Sequence, residues 1–288
     1  MVKFAHIVHV PMTGVGIFKG FRGDKWFDDR LKIFKEYTLQ SLINQSNRAF
    51  LLWLTFRPQE ENDPRIKALG EYLHEKKMAV IMTFHGLPYW DDKFSPGVRN
   101  KIWNVGRVAR QCWREKNPWL LAAVFEVIFN RKNKTLLHRL EKMLYDLGKL
   151  NELNDANYIY VTRIDSDDMF HKEAMAEIQR TQPFEGALTY QNGYIYNTNS
   201  RELAEWNPTT NPPFHTVIFL GSKFLNPVEH LGYYKDFRSH EDVPRVFKAH
   251  QLEEGRYCVL IHQKQISTIW NHPYRGKLVD ASKLNDFI

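Results

Sequence analysis

Residues 158–170, reading Tyr-Ile-Tyr-Val-Thr-Arg-Ile-Asp-Ser-Asp-Asp-Met-Phe, constrain this chain more than any other stretch. β-Branched and aromatic side chains suit the pleated surface of a buried strand, which predicts a strand over 158–164. The run then stops at Asp165, Asp167 and Asp168. Open α/β sheets bind ligands at the carboxyl ends of their strands, so acids at that place make a compact anionic site. Carboxylates this close repel one another unless positive charge lies between them, and a hard divalent cation with oxygen ligands supplies it. Mn²⁺ or Mg²⁺ carrying a diphosphate is the expected occupant. The competing reading is a solvated turn in which Asp168 caps the helix that begins near His171; a cap accounts for one acid and not for the others.

The order of elements alternates along the chain. Residues 4–10 read as a first strand, followed by a glycine-rich loop over 12–23. Leu31, Phe34, Tyr37, Leu39, Leu42 and Ile43 recur at helical spacing within 28–46. The apolar run 50–56 has the character of a buried strand. A helix over 64–76, a strand over 79–84 and helices over 98–116, 135–151 and 172–182 follow. Residues 186–190 and 193–197 alternate with turn signals and predict a hairpin. Residues 216–220 and 257–261 read as further strands, with a helix over 243–249 between them. Alternation of this kind predicts an α/β fold: a single, mostly parallel central sheet flanked by helices, Rossmann-like, forming one domain over 1–288. The long basic stretch 103–154 is expected to be a helical insertion.

Composition limits the function classes. With 288 residues, 43% hydrophobic and 14% aromatic, the chain can bury a full core and is not of the disordered type. Its formal charge of +7 suits phosphates, an anionic membrane surface or nucleic acid without choosing among them. Cys112 and Cys258 form no disulfide framework, and a reducing, cytoplasmic setting is the default. The amino terminus reads as a strand rather than a signal peptide. No stretch approaches the roughly 20 apolar residues of a membrane span. The closest, 119–129, contains Glu126 and is flanked by Arg114, Lys116, Arg131, Lys132 and Lys134. It fits either a core helix or an interfacial helix resting on the inner face of a membrane. No G-x-G-x-x-G, Walker A, H-E-x-x-H or paired C-x-x-C sequence occurs, which argues against dinucleotide, P-loop and zinc chemistry.

Asp165-Ser166-Asp167-Asp168 after an apolar strand resembles the D-x-D signature of nucleotide-sugar-dependent glycosyltransferases with the A-type fold. The longer Thr162-Arg163-Ile164-Asp165-Ser166-Asp167-Asp168 is similar to the version in bacterial putative rhamnosyltransferases related to family 2. Ser41-Leu42-Ile43-Asn44-Gln45-Ser46 followed by Phe50-Leu51-Leu52-Trp53-Leu54 looks like the opening of the family 2 enzymes, whose helix tail often reads S-L-x-x-Q-x. That opening normally runs into a carboxylate that contacts the nucleotide base; here the strand ends Thr55-Phe56-Arg57-Pro58. Arg107 and Arg110 resemble an Asn/Gly/Ala-Arg segment that lies near the donor. Glu241-Asp242 resembles the E-D pair in which one carboxylate deprotonates the acceptor. His272 corresponds to a carboxyl-terminal histidine that completes the metal site in many A-type enzymes.

The resemblance implies a metal-dependent, inverting glycosyltransferase, hexosyl- or rhamnosyltransferase in type. Asp167, Asp168 and His272 are expected to ligate Mn²⁺ or Mg²⁺, with His262 a weaker alternative to His272. Asp165, Arg57, Arg107, Arg110 and Arg163 are expected on the donor side. A sugar hydroxyl is a poor nucleophile and needs a base at hydrogen-bonding distance; Asp242 is the first choice and Glu241 the second. Arg275 and Lys277 could neutralise the leaving diphosphate. Trp206, Tyr233, Tyr234 and Trp270 could stack on sugar faces or belong to the core. The expected partners are a nucleotide-sugar donor and a glycan or other hydroxyl acceptor. A pyrophosphorylase-type nucleotidyltransferase and a glycosyltransferase acting on modified DNA bases are the alternatives.

Overall fold

The computed structural model describes residues 3–13, 23–57, 60–85, 135–234, 240–262 and 268–288. Arg107 and Arg110, the expected helix over 98–116, the 119–129 segment and most of the glycine-rich loop lie outside the described residues. In the first half the elements are β1 (Phe4–Pro11), α1 (Gly23–Ile33), α2 (Leu39–Ile43), β2 (Leu51–Thr55), α3 (Pro64–Glu75), β3 (Val80–Thr83), α4 (Thr135–Leu147) and α5 (Asn151–Asn154). The second half contains β4 (Tyr158–Arg163), β5 (Met169–Phe170), α6 (Ala174–Arg180), β6 (Gly186–Thr189), β7 (Gly193–Asn197), β8 (Glu202–Trp206) and β9 (His215–Leu220). It ends with α7 (Gly221–Phe224), α8 (Pro227–Tyr234), α9 (Val243–Val246), β10 (Ala249–Gln251), β11 (Tyr257–Ile261) and β12 (Arg275–Val279).

The first sheet has seven strands in the order β10-β6-β9-β4-β1-β2-β3. Its β4-β1-β2-β3 half is parallel, as the alternation predicted. The whole is mixed rather than mostly parallel, because β9 runs antiparallel to both β4 and β6. Parallel neighbours need a long crossover, usually a helix. The chain between β6 and β9 instead forms β7 and β8, which belong to a second sheet, and it re-enters the first sheet reversed. That second sheet has the order β12-β8-β7-β11-β5. The hairpin expected from 186–190 and 193–197 is therefore not formed: β6 and β7 lie in different sheets, and β7 pairs antiparallel with β8. The helix expected over 243–249 is the single turn α9, after which Ala249–Gln251 joins the sheet edge as β10.

Side chains alternate across the first sheet and feed two apolar layers. On one face Val8, Leu52, Leu54 and Tyr160 pack with Phe27, Leu31 and Leu42 of the first helices and with Ile66 and Leu69 of α3. On the other, Ile7, Trp53, Ile159 and Val217 pack with Leu140, Met143, Leu144 and Leu147. The α4 segment, read from sequence as part of an insertion, thus packs directly on the sheet. Among the described residues no helix is long and apolar enough to cross a membrane.

The turn from β9 into α7 depends on close approach of two backbones. Gly221 N–H donates to the Asn157 carbonyl at 2.8 Å, and a Cβ at Gly221 would stand 1.9 Å from the Ala156 carbonyl oxygen. Overlap of that size must push the strand pair β4/β9 apart. Gly221→Ala is expected to cost about 2 kcal/mol or more, seen as a lower urea midpoint at unchanged slope. A midpoint equal to the parent's would show that the backbone around Ala156 moves aside freely.

Candidate active site

Between β4 and β5 the chain leaves the first sheet and enters the second, and the acidic residues occupy this crossing. The turn is closed by Asp168 N–H donating to the Asp165 carbonyl at 3.2 Å. Asp168 Oδ1 accepts from the Leu260 N–H of β11 at 3.0 Å, which ties the turn to the second sheet. The continuous helical segment of α1 and α2 holds it from the other side. Arg30 lies with its guanidinium 5.1 Å from the Trp26 ring centre, and its Nη1 stands 2.5 Å from Asp167 Oδ1. The same nitrogen donates to Ser166 Oγ at 3.4 Å.

A π-helical turn, Phe34–Thr38, separates α1 from α2; such turns re-aim the side chains that follow. Ser41 Oγ then donates to the Thr38 carbonyl at 2.8 Å and accepts from Phe170 N–H at 3.2 Å. Gln45 Nε2 donates to the His171 carbonyl at 2.9 Å, while its Oε1 accepts from Met175 N–H at 3.0 Å. Ser41 and Gln45, the named positions of the S-L-x-x-Q tail, clamp the chain just after the acids.

The carboxylates have opposite electrostatic environments. Burial works against ionisation of Asp167, yet Arg30 and the His262 imidazole, 3.0 Å from Oδ2, outweigh it and hold the carboxyl down at about 2. For Asp168, burial and then the neighbouring Asp167 and Asp165 push the carboxyl well above its ordinary value, against the Leu260 N–H and Arg30. Asp165 is paired with Arg163 at 2.9 Å and is 37% exposed.

Beside this turn lies a row of buried nitrogen groups. His9, Arg163 and His215 are in register across β1, β4 and β9 and so share one face of the sheet. His9 stacks on Trp53 at 4.2 Å; burial and then Arg163 bring its imidazole down to about 3. His215 is lowered well below its ordinary value by burial, Arg163, His240 and His9. His240 opens a 3-10 turn, His240–Asp242, and is hydrogen-bonded through Nδ1 to the Asn211 carbonyl at 2.6 Å.

The expected site residues separate into groups. Asp165, Asp167, Asp168 and Arg163 lie together. Arg57 is bound to Glu60 at 2.5 Å, and Glu60 also accepts from Thr13 Oγ1 and from Arg57 N–H. Asp242 accepts from Arg245 at 3.0 Å and Glu241 from Thr210 at 3.4 Å. His272 sits against Trp206, 5.1 Å between ring centres. Trp206 pairs with Gly193 at the start of β7, whereas His262 follows β11, whose Ile261 pairs with Asn197 at the end of β7. The histidine that meets the acids is thus His262, and His272 is at the opposite end of the second sheet. Arg275 covers Trp270 at 4.8 Å. Tyr233 packs on Phe219 at 4.6 Å and bonds Glu185, a core role. Sequence reading missed Arg30, His9, His215 and His240.

Among the described residues no group of three or more His, Cys, Asp or Glu is arranged to hold a metal ion. Ions such as Mg²⁺ are commonly held by one or two carboxylates, with phosphates and water completing the shell. Like-charge crowding on Asp168, with the Asp167 carboxylate beside it, fits a cation held in that manner.

No family model matches the chain, and no curated protein matches it. Among solved structures it is similar to S. aureus TarS 1-349, at 14% identity and a TM-score of 0.40 over 89% of this chain and 60% of that one. The same S. aureus protein in complex with UDP gives 11% identity and a TM-score of 0.41 over 89% and 60% of the two chains. For S. aureus TarS the identity is 13% and the TM-score 0.38, over 89% of this chain and 37% of that one. The chain thus spans less than two thirds of the length of these structures.

The two buried aspartates predict opposite stability effects. A carboxyl lowered in the fold stabilises it above the ordinary value of 3.8 and loses that contribution as pH falls towards about 2, the case of Asp167. A raised carboxyl makes stability decline as pH climbs above 3.8, the case of Asp168. At pH 7 Asp167→Asn should destabilise the fold by about 3–5 kcal/mol and lower Tm, whereas Asp168→Asn, whose Oδ1 still accepts from Leu260, should stabilise it and raise Tm. The contrast should shrink at pH 3. Shifts of the same sign at pH 7 would contradict this assignment of charges.

Proposed function

We propose that the chain transfers a glycosyl group from a nucleotide-sugar donor to a hydroxyl acceptor, with inversion at the anomeric carbon. The observation that carries the reading is the crossing between the two sheets, where Asp165, Asp167 and Asp168 meet Arg30, Arg163 and His262 at strand ends. A cluster that joins buried acids to fixed cations in this place suits a ligand that is itself polyanionic and carries its own counter-ion.

Asp167 and Asp168 would hold Mn²⁺ or Mg²⁺ together with the donor's phosphates, with the His262 imidazole orienting the Asp167 carboxylate through its hydrogen bond. When bound, the ion would offset the negative charge that grows on the departing diphosphate. Arg30 keeps Asp167 ionised and fixes its orientation. Arg163 and the half-buried Asp165 face the donor, Asp165 suiting a ribose hydroxyl. The acceptor side is assigned to the 240–242 turn, which carries His240, Glu241 and Asp242. A glycan is the acceptor the reading prefers, and the cytoplasm is the compartment.

Calorimetry with UDP, GDP and dTDP, each with Mn²⁺ or with chelator, tests the donor site. At least one of them should bind with Mn²⁺ and lose roughly 10-fold or more in affinity in chelator, and Asp167→Asn should abolish the difference. Equal affinity under both conditions would overturn the role of the ion; no binding of any of them would overturn the donor reading.

A further inference from the structure

The expected proton acceptors, Asp242 and Glu241, are engaged elsewhere: Arg245 holds Asp242 Oδ1 through Nε at 3.2 Å and Nη2 at 3.0 Å, and Thr210 donates to Glu241. Their neighbour His240 has the arrangement of a base. Its Nδ1 lies 2.6 Å from the Asn211 carbonyl oxygen, which can only accept, so the ring proton sits on Nδ1. Asn211 Nδ2 returns a bond to the His240 carbonyl at 2.8 Å and fixes the turn. The Nε2 atom therefore carries the lone pair, and no described residue hydrogen-bonds it. The charged and titratable neighbours of the ring are Arg163, Asp165, Glu241 and His215. Burial and then Arg163 keep the imidazole below its ordinary value, opposed by the Asn211 carbonyl, Asp165 and Glu241, which favours the neutral ring.

We propose that His240 Nε2 takes the proton of the acceptor hydroxyl; this rests on the glycosyl-transfer reading and deepens it. As the acceptor oxygen bonds to the anomeric carbon, its proton passes to Nε2. The bond from that carbon to the diphosphate oxygen breaks, and its electron pair leaves with the diphosphate. The imidazolium, facing Asp165 and Glu241, then returns its proton to water. Asn211 plays the part of the orienting group behind the base, holding one tautomer.

The test uses donor hydrolysis, in which water replaces the acceptor, on UDP-glucose, UDP-N-acetylglucosamine, GDP-mannose and dTDP-rhamnose with Mn²⁺. His240→Asn places an amide N–H where Nδ1–H stood, so it keeps the bond to the Asn211 carbonyl while removing Nε2. It should bind the nucleoside diphosphate as the parent does and lose turnover by about 10²-fold or more. His240→Ala should lose as much and regain part of it when free imidazole is added, a response that a purely structural role would not give. Hydrolysis by His240→Asn within a few-fold of the parent, or no imidazole rescue of His240→Ala, overturns His240 as the base and leaves the donor site standing. A parent that binds none of the nucleoside diphosphates and hydrolyses none of the donors overturns the transfer reading and this assignment with it.

Discussion

The buried contact between Arg30 and Asp167 is the constraint on which the rest of the site depends. It joins a helix of the first layer to the turn by which the chain passes from one sheet to the other. Taking both ions out of water costs several kcal/mol per ion, and their attraction recovers it only with good geometry and further hydrogen bonds. Those are present: Ser166 and Trp26 flank the guanidinium, and His262 takes the second oxygen of Asp167. Removing one partner of such a pair leaves an uncompensated buried charge, on the order of 3–5 kcal/mol. The π-helical turn after Arg30 matters for the same reason, since it lets one continuous helical segment present Arg30 to Asp167 and Ser41 to Phe170 N–H.

Much of the parallel half of the first sheet was readable because its strands are long, apolar and bounded by polar turns. Residues 158–164, 50–56 and 64–76 became β4, β2 and α3 within a residue or two. The second sheet was hidden for physical reasons. Its β5 has two residues, and β8 and β12 carry charged side chains on exposed positions, so none shows a clean period. The supposed hairpin of 186–197 failed because adjacent strands in sequence were assumed to pair, while the alternation that marks each strand says nothing about its partner. The Ser41–Gln45 tail shows the reverse case. It was recognised as a likeness with no role attached, and its role is the pair of hydrogen-bonding clamps on residues 170–175.

Site residues divide along the same line. Acids that are neighbours in sequence remain neighbours in space, so Asp165, Asp167 and Asp168 were legible. Arg30, His9, His215 and His262 reach the site from other elements, and only strand register brings His9, Arg163 and His215 onto one face. With twelve histidines in the chain, choosing His272 over His262 by position near the carboxyl terminus carried little information. The parallel pairing of β7 with β11 places the end of β11, and with it His262, at the turn and Trp206 with His272 at the far end.

The carboxyl that the fold tolerates least is the one that points to function. Asp167 is matched by the Arg30 guanidinium and bonded by the His262 imidazole, and could be explained as a structural pair. Asp168 is not: it is buried, crowded by two other acids and relieved chiefly by a single backbone N–H. An asparagine could accept that bond without the penalty of a buried, crowded charge, so stability alone does not account for an aspartate there. Natural sequences break local rules of this kind mainly at working sites. His240, Glu241 and Asp242 differ in how their side chains are held. Arg245 holds one oxygen of Asp242 and Thr210 donates to one oxygen of Glu241, whereas the bond His240 makes through Nδ1 leaves the lone pair on Nε2.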